Sequence, residues 1–326
     1  MALNPETVTT LAYLVQVFYE KTFLDNLEKS LVFADYTKKY SLPKGFGPIV
    51  YFSRYTRQAA DIATLSEGIA PTTSVMLTDE RVSATVEQYG NVNIVSDLML
   101  GVHISGPNQF VNQVVEEMSY KAKISIDTLV RNAFCATASA TMAYAATQTG
   151  TQASATLVGS THTMGAADIR RIVRTLKKAD IPTYDADSYM GIIGPGQSYD
   201  LVAETATGGW LDANKYTTPE QIAKGEIGKL FGARITVCNN LSTLSQSGTI
   251  SVCPFFGKDP VAMVDITAVN RGDKKMEYID LFIKEPGTAG SADPLNQIGT
   301  VGYKFSCVAK RLNDLSVVLL LAGETP

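Results

Sequence analysis

Apolar side chains recur every four positions between Pro107 and Cys135. The stripe consists of Phe110, Val114, Met118, Ala122, Ile126, Val130 and Phe134. Charged residues lie off this stripe, and the pattern predicts an amphipathic helix over 107–135. At a rise of 1.5 Å per residue, the helix would be about 40 Å long. Since charges interrupt the segment too often for a membrane span, we expect it to be a spine with a sheet packed along it.

The chain before this helix changes from a helical to an alternating pattern. Apolar positions within 7–27 predict a helical arm that must bury its face on another surface. Alternation over Ile49–Thr56 and Arg81–Ile94 predicts two strands. The polar, turn-rich stretch Asp61–Asp79 joins them into an extended hairpin. Since an isolated two-stranded ribbon is marginal in water, we expect the hairpin to lie on a neighbour.

Short helices and strands alternate in the second half of the chain, after an irregular connection over 136–162. The predicted helices are 165–180 and Tyr199–Glu204, and the predicted strands are Tyr189–Ile193, 225–238 after an initial turn, 249–256, 261–269, 301–307 and 316–321. Gly194-Pro195-Gly196 is predicted to end the first of these strands as a turn. Together the pattern predicts an α+β protein with an α/β lobe over 181–295.

The composition is that of a globular protein large enough to bury an extensive core. The 326 residues are 45% hydrophobic and 18% charged, with a net charge of -4 and a pI near 5.4. A dedicated nucleic-acid binder would be basic, so that class is not favoured. The first residues lack the basic and apolar regions of a secretory signal. We therefore expect the protein to be made and kept in a cytoplasm.

Candidate catalytic residues are few. His103 and His162 belong to no metal-binding or nucleophile motif. Glu116 and Glu117 are adjacent on the predicted helix, so their side chains point about 100° apart and cannot share a site. Glycine-rich stretches at 194–197 and 225–232 carry no phosphate-loop fingerprint and are interpreted as turns. No catalytic, cofactor-binding or metal-ligating residue is assigned, and we expect a protein that contacts copies of itself and is not an enzyme.

Two of the four cysteines, Cys238 and Cys253, are placed symmetrically about Ser245-Gln246. A hairpin turn there would let them face each other. In a reducing compartment, free buried thiols are the other interpretation, and the sequence leaves the pairing open.

Four segments carry a resemblance to a known family. They are VQVFYEKTFLDNL in the arm, LSEGIAP in the hairpin tip, GEIGKLFGARI, and DPLNQIGTVGYKF near the end. The chain resembles the major capsid proteins of tailed bacteriophages, whose coat fold is shared with encapsulin shells. In one branch of that family DPL-x-Q precedes a V-G-aromatic-K strand, as it does here at 293–304.

The resemblance implies a division of the chain into named parts. Residues 1–47 would be the N-terminal arm and 48–90 the extended loop that overlaps a neighbouring subunit. Residues 91–180 would be the peripheral domain with the spine helix at 107–135. Residues 181–295 would be the inserted axial domain at the centre of each pentamer or hexamer, and 296–326 would return to the peripheral domain.

The resemblance also implies a function. The expected protein is a major capsid protein of the virion that self-assembles into an icosahedral head around double-stranded DNA, without a cofactor or a membrane. Portal, scaffolding and decoration proteins are expected partners, with DNA bound non-specifically inside. An encapsulin-type compartment and a cytoplasmic α/β enzyme remain alternatives. The predicted inter-subunit contact residues are the charged residues of the hairpin, namely Arg54, Arg57, Asp61, Glu67 and Arg81.

Overall fold

The computed structural model describes most of the chain from Val32 onwards. The described residues are 32–43, 47–55, 76–102, 107–136, 141–144, 158–159, 162–185, 187–204, 228–246, 248–266, 279–288 and 293–323, with single positions between 45 and 68. The predicted arm helix over 7–27 lies outside them.

The elements of the described residues are four α-helices and fourteen strands. The helices are α1 (Asp97–Val102), α2 (Pro107–Phe134), α3 (Ala166–Lys178) and α4 (Pro195–Ala203). The strands are β1 (Lys38–Leu42), β2 (Ile49–Tyr55), β3 (Asp79–Thr85), β4 (Glu87–Ser96), β5 (Thr141–Tyr144), β6 (Tyr189–Ile193), β7 (Lys229–Leu230), β8 (Ala233–Val237), β9 (Ser242–Gln246), β10 (Gly248–Phe256), β11 (Val261–Ile266), β12 (Ile279–Lys284), β13 (Ile298–Arg311) and β14 (Val317–Ala322).

The long helix α2 confirms the predicted spine. It runs from Pro107 to Phe134, within one residue of the predicted end. The later members of the four-residue stripe are fully buried, namely Met118, Ala122, Ile126, Val130 and Phe134. Proline at the first position costs no hydrogen bond, because the first amides of a helix have no partner within it.

The first sheet packs along the spine and is centred on the long strand β13. One edge of β13 pairs with β11 and β12, while β4 runs antiparallel along the other edge. β1 adds in parallel to β11. The alternation predicted around 301–307 is confirmed, because Val301, Tyr303, Phe305 and Cys307 are all buried in the spine's cluster.

The second sheet lies between the spine and helix α3. Its order is β5-β14-β10-β6-β8-β7, with β9 also paired to β10. In β14, Val317, Leu319 and Leu321 join the core cluster of the spine, while Val318, Leu320 and Ala322 join the cluster of α3. A strand covered on both faces needs apolar residues at every position, which explains the unbroken run VVLLLA.

The second strand of the predicted hairpin changes partner midway. Alternation over Arg81–Ile94 predicted one strand, but β3 pairs with β2 in the hairpin and β4 pairs with β13 in the first sheet. The break is at Val86, whose N–H donates to the carbonyl of Pro48 at 2.8 Å. The prediction of a single strand was wrong. Apolar and polar side chains alternate in β3 and continue to alternate in β4, so the pattern does not show where one strand ends and the next begins.

Two further predictions are corrected. Helix α4 begins at Pro195, four residues before the predicted Tyr199, with Gly194 as its extended N-cap. Gly194-Pro195-Gly196 therefore begins a helix and is not a turn. The sequence did not distinguish the two, because proline is favoured both at the first position of a helix and in turns. The connection over 136–162 contains the edge strand β5, parallel to β14. Its short Thr-Met-Ala-Tyr sequence gives no alternating apolar signal.

The segments that carry the resemblance make close backbone contacts. The Asp293 carboxylate accepts the Ile298 N–H at 2.7 Å and so fixes the turn before β13. A Cβ at Gly302 would lie 3.0 Å from the Asn91 carbonyl oxygen, so β4 approaches closely there. Phe231 and Gly232 have φ of 49° and 87° between β7 and β8. Such a pair of left-handed residues forms the tight turn that suits a two-residue hairpin.

The two sheets draw strands from both sides of the predicted domain limits. β14, in the predicted return to the peripheral domain, lies in the second sheet beside β6, β8 and β10. β11 and β12, within the predicted axial range, lie in the first sheet with β13. The domain division at 47, 90, 180 and 295 stays a prediction.

All four cysteines are free and buried. Cys238 belongs to the spine's core cluster, whereas Cys253 belongs to the cluster of α3 on the other side of the second sheet. The hairpin joins β9 to β10, and Cys238 precedes it, so the two thiols do not face each other. The interpretation as free thiols is confirmed.

We expect none of these thiols to react with a disulfide reagent in the native protein. Burial raises the pKa of Cys135 and of Cys307 to about 12 in each case, so both stay neutral at pH 8. The measurement is a titration with a chromogenic disulfide at pH 8, which should detect four thiols only after denaturation. Fast reaction of a native thiol would contradict this burial.

Candidate assembly surface

The antiparallel pair β2 and β3 forms a ribbon with two different faces. Seven residue pairs join the strands, from Ile49–Thr85 to Tyr55–Asp79. Side chains alternate between the faces of a strand. Val50, Phe52 and Arg54 therefore share one face, which we call the inner face, and Ile49, Tyr51 and Tyr55 share the outer face.

The inner face of the ribbon is held by the rest of the chain. The ring of Phe52 lies 5.2 Å from the ring of Tyr40 on β1, centroid to centroid. Ala84, opposite Val50, is buried. Arg54 forms an ion pair with Glu80 across the two strands. The Phe52–Tyr40 contact and the burial of Ala84 therefore hold this face against the body of the protein, and the ion pair joins the two strands of the ribbon to each other.

The outer face of the ribbon carries large apolar side chains in solvent. Tyr51 is 65% exposed and Tyr55 is 66% exposed, with Ile49 beside them. Ile62, Met76 and Leu77 near the tip are also exposed. Single exposed apolar residues are ordinary, but a contiguous set marks a surface used for binding. Aromatic residues in particular are enriched at protein interfaces.

The structure describes three of the five predicted contact residues, Arg54, Glu67 and Arg81. Arg54 and Arg81 lie on the ribbon and pair within it, Arg81 with Asp79 at 3.4 Å. Glu67 is exposed in the hairpin tip. Arg57 and Asp61 fall outside the described residues. The role of all five between subunits stays a prediction. The sequence analysis did not single out the apolar outer face, because it took charge as the signal of an interface.

A cleft of about 750 Å³ lies between the ribbon and the end of the spine. The ribbon supplies Arg54 and residues 80–83, and the spine supplies residues between 129 and 136. The end of β13 and the residues after it form the third side, over 309–314.

Arg311 closes the end of this cleft from inside the protein. Its guanidinium donates to the carbonyl oxygens of Phe134 and Ala136, the latter at 2.8 Å. These are carbonyls at the C-terminal end of α2, where a positive charge is favourable. Burial lowers the pKa of Arg311 from its ordinary value, and Asp314 at 3.7 Å opposes that shift. Arg311 therefore fixes β13 to the end of the spine.

Asp127 fixes Phe33, which we call the root of the arm, to the spine. Its buried carboxylate accepts the Phe33 N–H at 2.8 Å and the side-chain amide of Asn240 at 3.0 Å. Arg131 donates to the amide oxygen of Asn240 at 2.8 Å. One carboxylate thus joins three parts of the chain: the arm root, the spine and the loop between β8 and β9.

Among the described residues, no three His, Cys, Asp or Glu side chains lie close enough together to hold a metal ion. Nδ1 of His162 accepts the N–H of Gly159 at 3.0 Å, which gives that histidine a local structural role. No helix among the described residues is long and apolar enough to cross a membrane.

Comparison with known proteins gives no match to a family model or to a curated protein sequence. Solved structures do match. The capsid of the cyanophage P-SCSP1u aligns with a TM-score of 0.65 and 15% identity, covering 91% of this chain and 89% of that one. The capsid of Ralstonia phage GP4 aligns with a TM-score of 0.65 and 14% identity, covering 89% and 87%. The chain has the phage capsid fold.

The phage capsid fold extends to a particle from an archaeon. The virus-like particle from Pyrococcus furiosus aligns with a TM-score of 0.52 and 11% identity, covering 93% of this chain and 97% of that one. At these identities the likeness concerns the fold. The predicted α+β class and the predicted coat fold are confirmed.

Proposed function

We propose that the chain is a major capsid protein, a structural subunit that assembles into pentamers and hexamers of an icosahedral head around packaged double-stranded DNA. The observation that carries this proposal is the match of the whole fold to phage capsids over about nine-tenths of each chain. The exposed outer face of the ribbon supports it independently, because such a face needs a partner.

The proposed mechanism is assembly through many weak contacts. Each ribbon reaches a neighbouring copy, and each arm buries its apolar stripe across a subunit boundary. Every contact adds little by itself, but simultaneous contacts in a closed shell make later ones effectively intramolecular. Shell formation is then cooperative and reversible at the level of a single contact.

The finer assignments are part of the same proposal. Residues 48–90 act as the extended loop, 91–180 with the spine form the peripheral domain, and 181–295 form the axial domain. The protein is made in the cytoplasm of a host bacterium and resides in the virion. It works without catalysis, alongside portal, scaffolding and decoration proteins, and touches DNA without sequence preference.

A second candidate function is a compartment shell around an enzyme cargo. The match to the Pyrococcus furiosus virus-like particle favours it, since that relative is a particle with the same fold. The content of purified shells separates the two candidates: packaged DNA supports the capsid, and a protein cargo supports the compartment. A cytoplasmic enzyme would instead form a small closed oligomer.

Removing the two tyrosines of the ribbon's outer face should weaken assembly and leave the fold intact. We expect the Tyr51→Ser, Tyr55→Ser variant to need about a tenfold higher protein concentration for assembly, since about 1.4 kcal/mol of contact energy per subunit corresponds to that factor. Both side chains are exposed, so the thermal midpoint should move little.

The matched control for this variant is Tyr199→Ser, which removes a tyrosine that is 68% exposed on α4. Sedimentation velocity measures the assembled fraction of all three proteins, and circular dichroism measures their thermal midpoints. Equal assembly of the ribbon variant and the native protein would contradict the role of the outer face.

A further inference from the structure

Helix α3 presents a row of basic side chains on the surface of the protein. Arg170, Arg174, Lys177 and Lys178 are all exposed, and we call them the basic stripe of α3. At 100° and 1.5 Å per residue, the four lie within about 100° of the helix circumference and extend over about 12 Å of its length. The whole chain has a net charge of -4, so the basic stripe is a local exception to its acidic character.

The apolar side of α3 fixes the direction in which the basic stripe faces. That side is buried in the core cluster on the second sheet, and its residues are Ile169, Ile172, Val173 and Leu176. The guanidinium of Arg170 lies 4.9 Å from the centre of the Phe231 ring, in the turn between β7 and β8. Such a cation–π contact holds a long side chain in place. The basic stripe is therefore turned away from the body of the protein.

The acidic residues next to α3 are used at its N-terminal end. Asp168 is buried there, accepts the Gly165 N–H at 3.1 Å and pairs with Arg171 at 3.3 Å. Glu204 accepts the Ala166 N–H at 2.7 Å. Within the part of the chain that the structure describes, no carboxylate forms an ion pair with a residue of the basic stripe. Its positive charge is therefore not neutralised there.

Stabilisation of the helix itself explains only part of the basic stripe. Cations in the last turn of a helix interact favourably with its dipole, which accounts for Lys177 and Lys178. Arg174 and Arg170 lie about one and two turns earlier, where that effect has faded. The next acid along the chain, Asp180, comes only after the helix has ended. The two arginines thus hold exposed charges that are available to a partner.

The chemistry of the basic stripe suits phosphate groups better than a protein surface. The centres of protein interfaces are depleted of charge and rich in aromatic side chains. In the sector of α3 that carries the stripe, the one other side chain is that of Ala167. Duplex DNA presents one phosphate per about 1.7 Å of its axis, so about seven phosphates lie along a stripe of this length. That number exceeds the four cations, and each can be paired.

We propose that the basic stripe of α3 binds the phosphate backbone of duplex DNA. The inference rests on the proposed function and deepens it, because it assigns a surface to the non-specific contact with packaged DNA. Contacts to phosphate carry no sequence information. Four of them bind weakly in one subunit, and the many copies in a shell add their effects. The inference requires that α3 face the interior of the shell.

Titration of a labelled DNA duplex with the unassembled full-length protein tests the contact. The test variant is Arg174→Glu, Lys177→Glu, and fluorescence anisotropy at several salt concentrations gives its affinity. We expect at least about a tenfold loss of affinity at low salt, and a dependence of log K on log salt that is shallower by about 2, since each lost phosphate contact removes about 0.9. The matched control, Lys284→Glu, Lys304→Glu, changes the net charge equally at two exposed lysines of the first sheet and should bind as the native protein does.

Chemical footprinting of assembled shells tests the position of the basic stripe. Shells filled with DNA and shells emptied of it are treated with a small amine-acetylating reagent, and mass spectrometry measures the acetylation of each lysine. Lys177 and Lys178 should be acetylated at least about threefold less in the filled shells, because phosphate contacts cover them. Lys284 is exposed on the first sheet and serves as the internal control, with equal acetylation in both preparations.

The outcomes separate this inference from the proposed function. Equal affinity of the test variant and the native protein for DNA, or no binding by the native protein at low salt, would overturn the inference. Equal acetylation of the stripe in filled and emptied shells would overturn it and leave the proposed function standing. A variant that binds DNA as the native protein does but forms no shells would show that the stripe is a contact between copies. If the native protein forms no shells, the proposed function fails first.

A neutral variant keeps the test valid if the charge reversal disturbs the fold of α3. Arg174→Gln, Lys177→Gln removes the same two charges without adding repulsion. It should show the same change in salt dependence with a smaller loss of affinity. Circular dichroism compares the folding of both variants with that of the native protein.

Discussion

Replacing Phe256 with alanine is expected to lower the free energy of unfolding by about 3–5 kcal/mol, the range for a large aromatic residue removed from a core. Phe256 is fully buried at the end of β10. Its ring lies 4.9 Å from Phe134 of the spine, 5.6 Å from Tyr36 and 6.1 Å from Tyr184, centroid to centroid. The ring thus connects the second sheet, the end of the spine and the root of the arm.

Urea unfolding of the unassembled protein measures this change. The matched control is Phe282→Ala, because Phe282 is 47% exposed on β12 and its loss leaves a smaller cavity. We expect the control to lose less than about half as much stability as the Phe256 variant. Equal losses in the two variants would contradict the central position given to Phe256.

Replacing Asp127 with alanine is expected to cost about 2–5 kcal/mol. The change removes the acceptor of two donors, the buried Phe33 N–H and the half-buried Asn240 amide, and an unpaired buried donor costs roughly 1–3 kcal/mol. It should also release the arm root from the spine. Because the arm begins at that root, the variant is expected to assemble poorly even at a temperature where its body is folded.

Two variants make the Asp127 test specific. Asp127→Asn keeps one acceptor oxygen and should lose an intermediate amount of stability. Glu116→Ala removes an exposed carboxylate from the same helix and should change little. Chemical unfolding gives the stability, and limited proteolysis near Val32 reports the release of the root. A stability of Asp127→Ala within about 0.5 kcal/mol of the native value would contradict this account.

The periodic elements could be predicted from the sequence because one physical cause dominates each of them. The spine and β13 bury one face along most of their length, so their apolar residues repeat at the helical and strand periods. β14 is buried on both faces, and its unbroken apolar run was equally clear. In each case a long contact with a neighbour leaves a long pattern in the sequence.

Other features depend on partners distant in sequence, which a pattern cannot indicate. The change of partner at Val86 leaves the alternation of β3 and β4 unaltered. Asp127 binds residues 94 and 113 positions away in the sequence, and Arg311 binds carbonyls 177 and 175 positions away. The one sequence signal for Asp127 is an acidic residue beside the apolar stripe in a helix half that is otherwise basic.

The sequence located the ribbon on which the candidate surface lies, but it did not indicate the apolar face of that ribbon. The alternating pattern located the hairpin and its need for a neighbour. Charged residues were then chosen as contacts, whereas the outer face of the ribbon is formed by Ile49, Tyr51 and Tyr55. Alternation gave their spacing, but only the contact between Phe52 and Tyr40 shows which of the two faces packs on the body and which is left exposed.

The most direct test of the central claim is electron microscopy of the purified full-length protein, combined with light scattering. Assembly into closed shells, or into five- and six-membered rings that grow into shells as the protein concentration rises, is the predicted result. A uniform dimer or tetramer of the 35.1 kDa chain that never grows, even at high concentration, would contradict the account and favour a small closed enzyme.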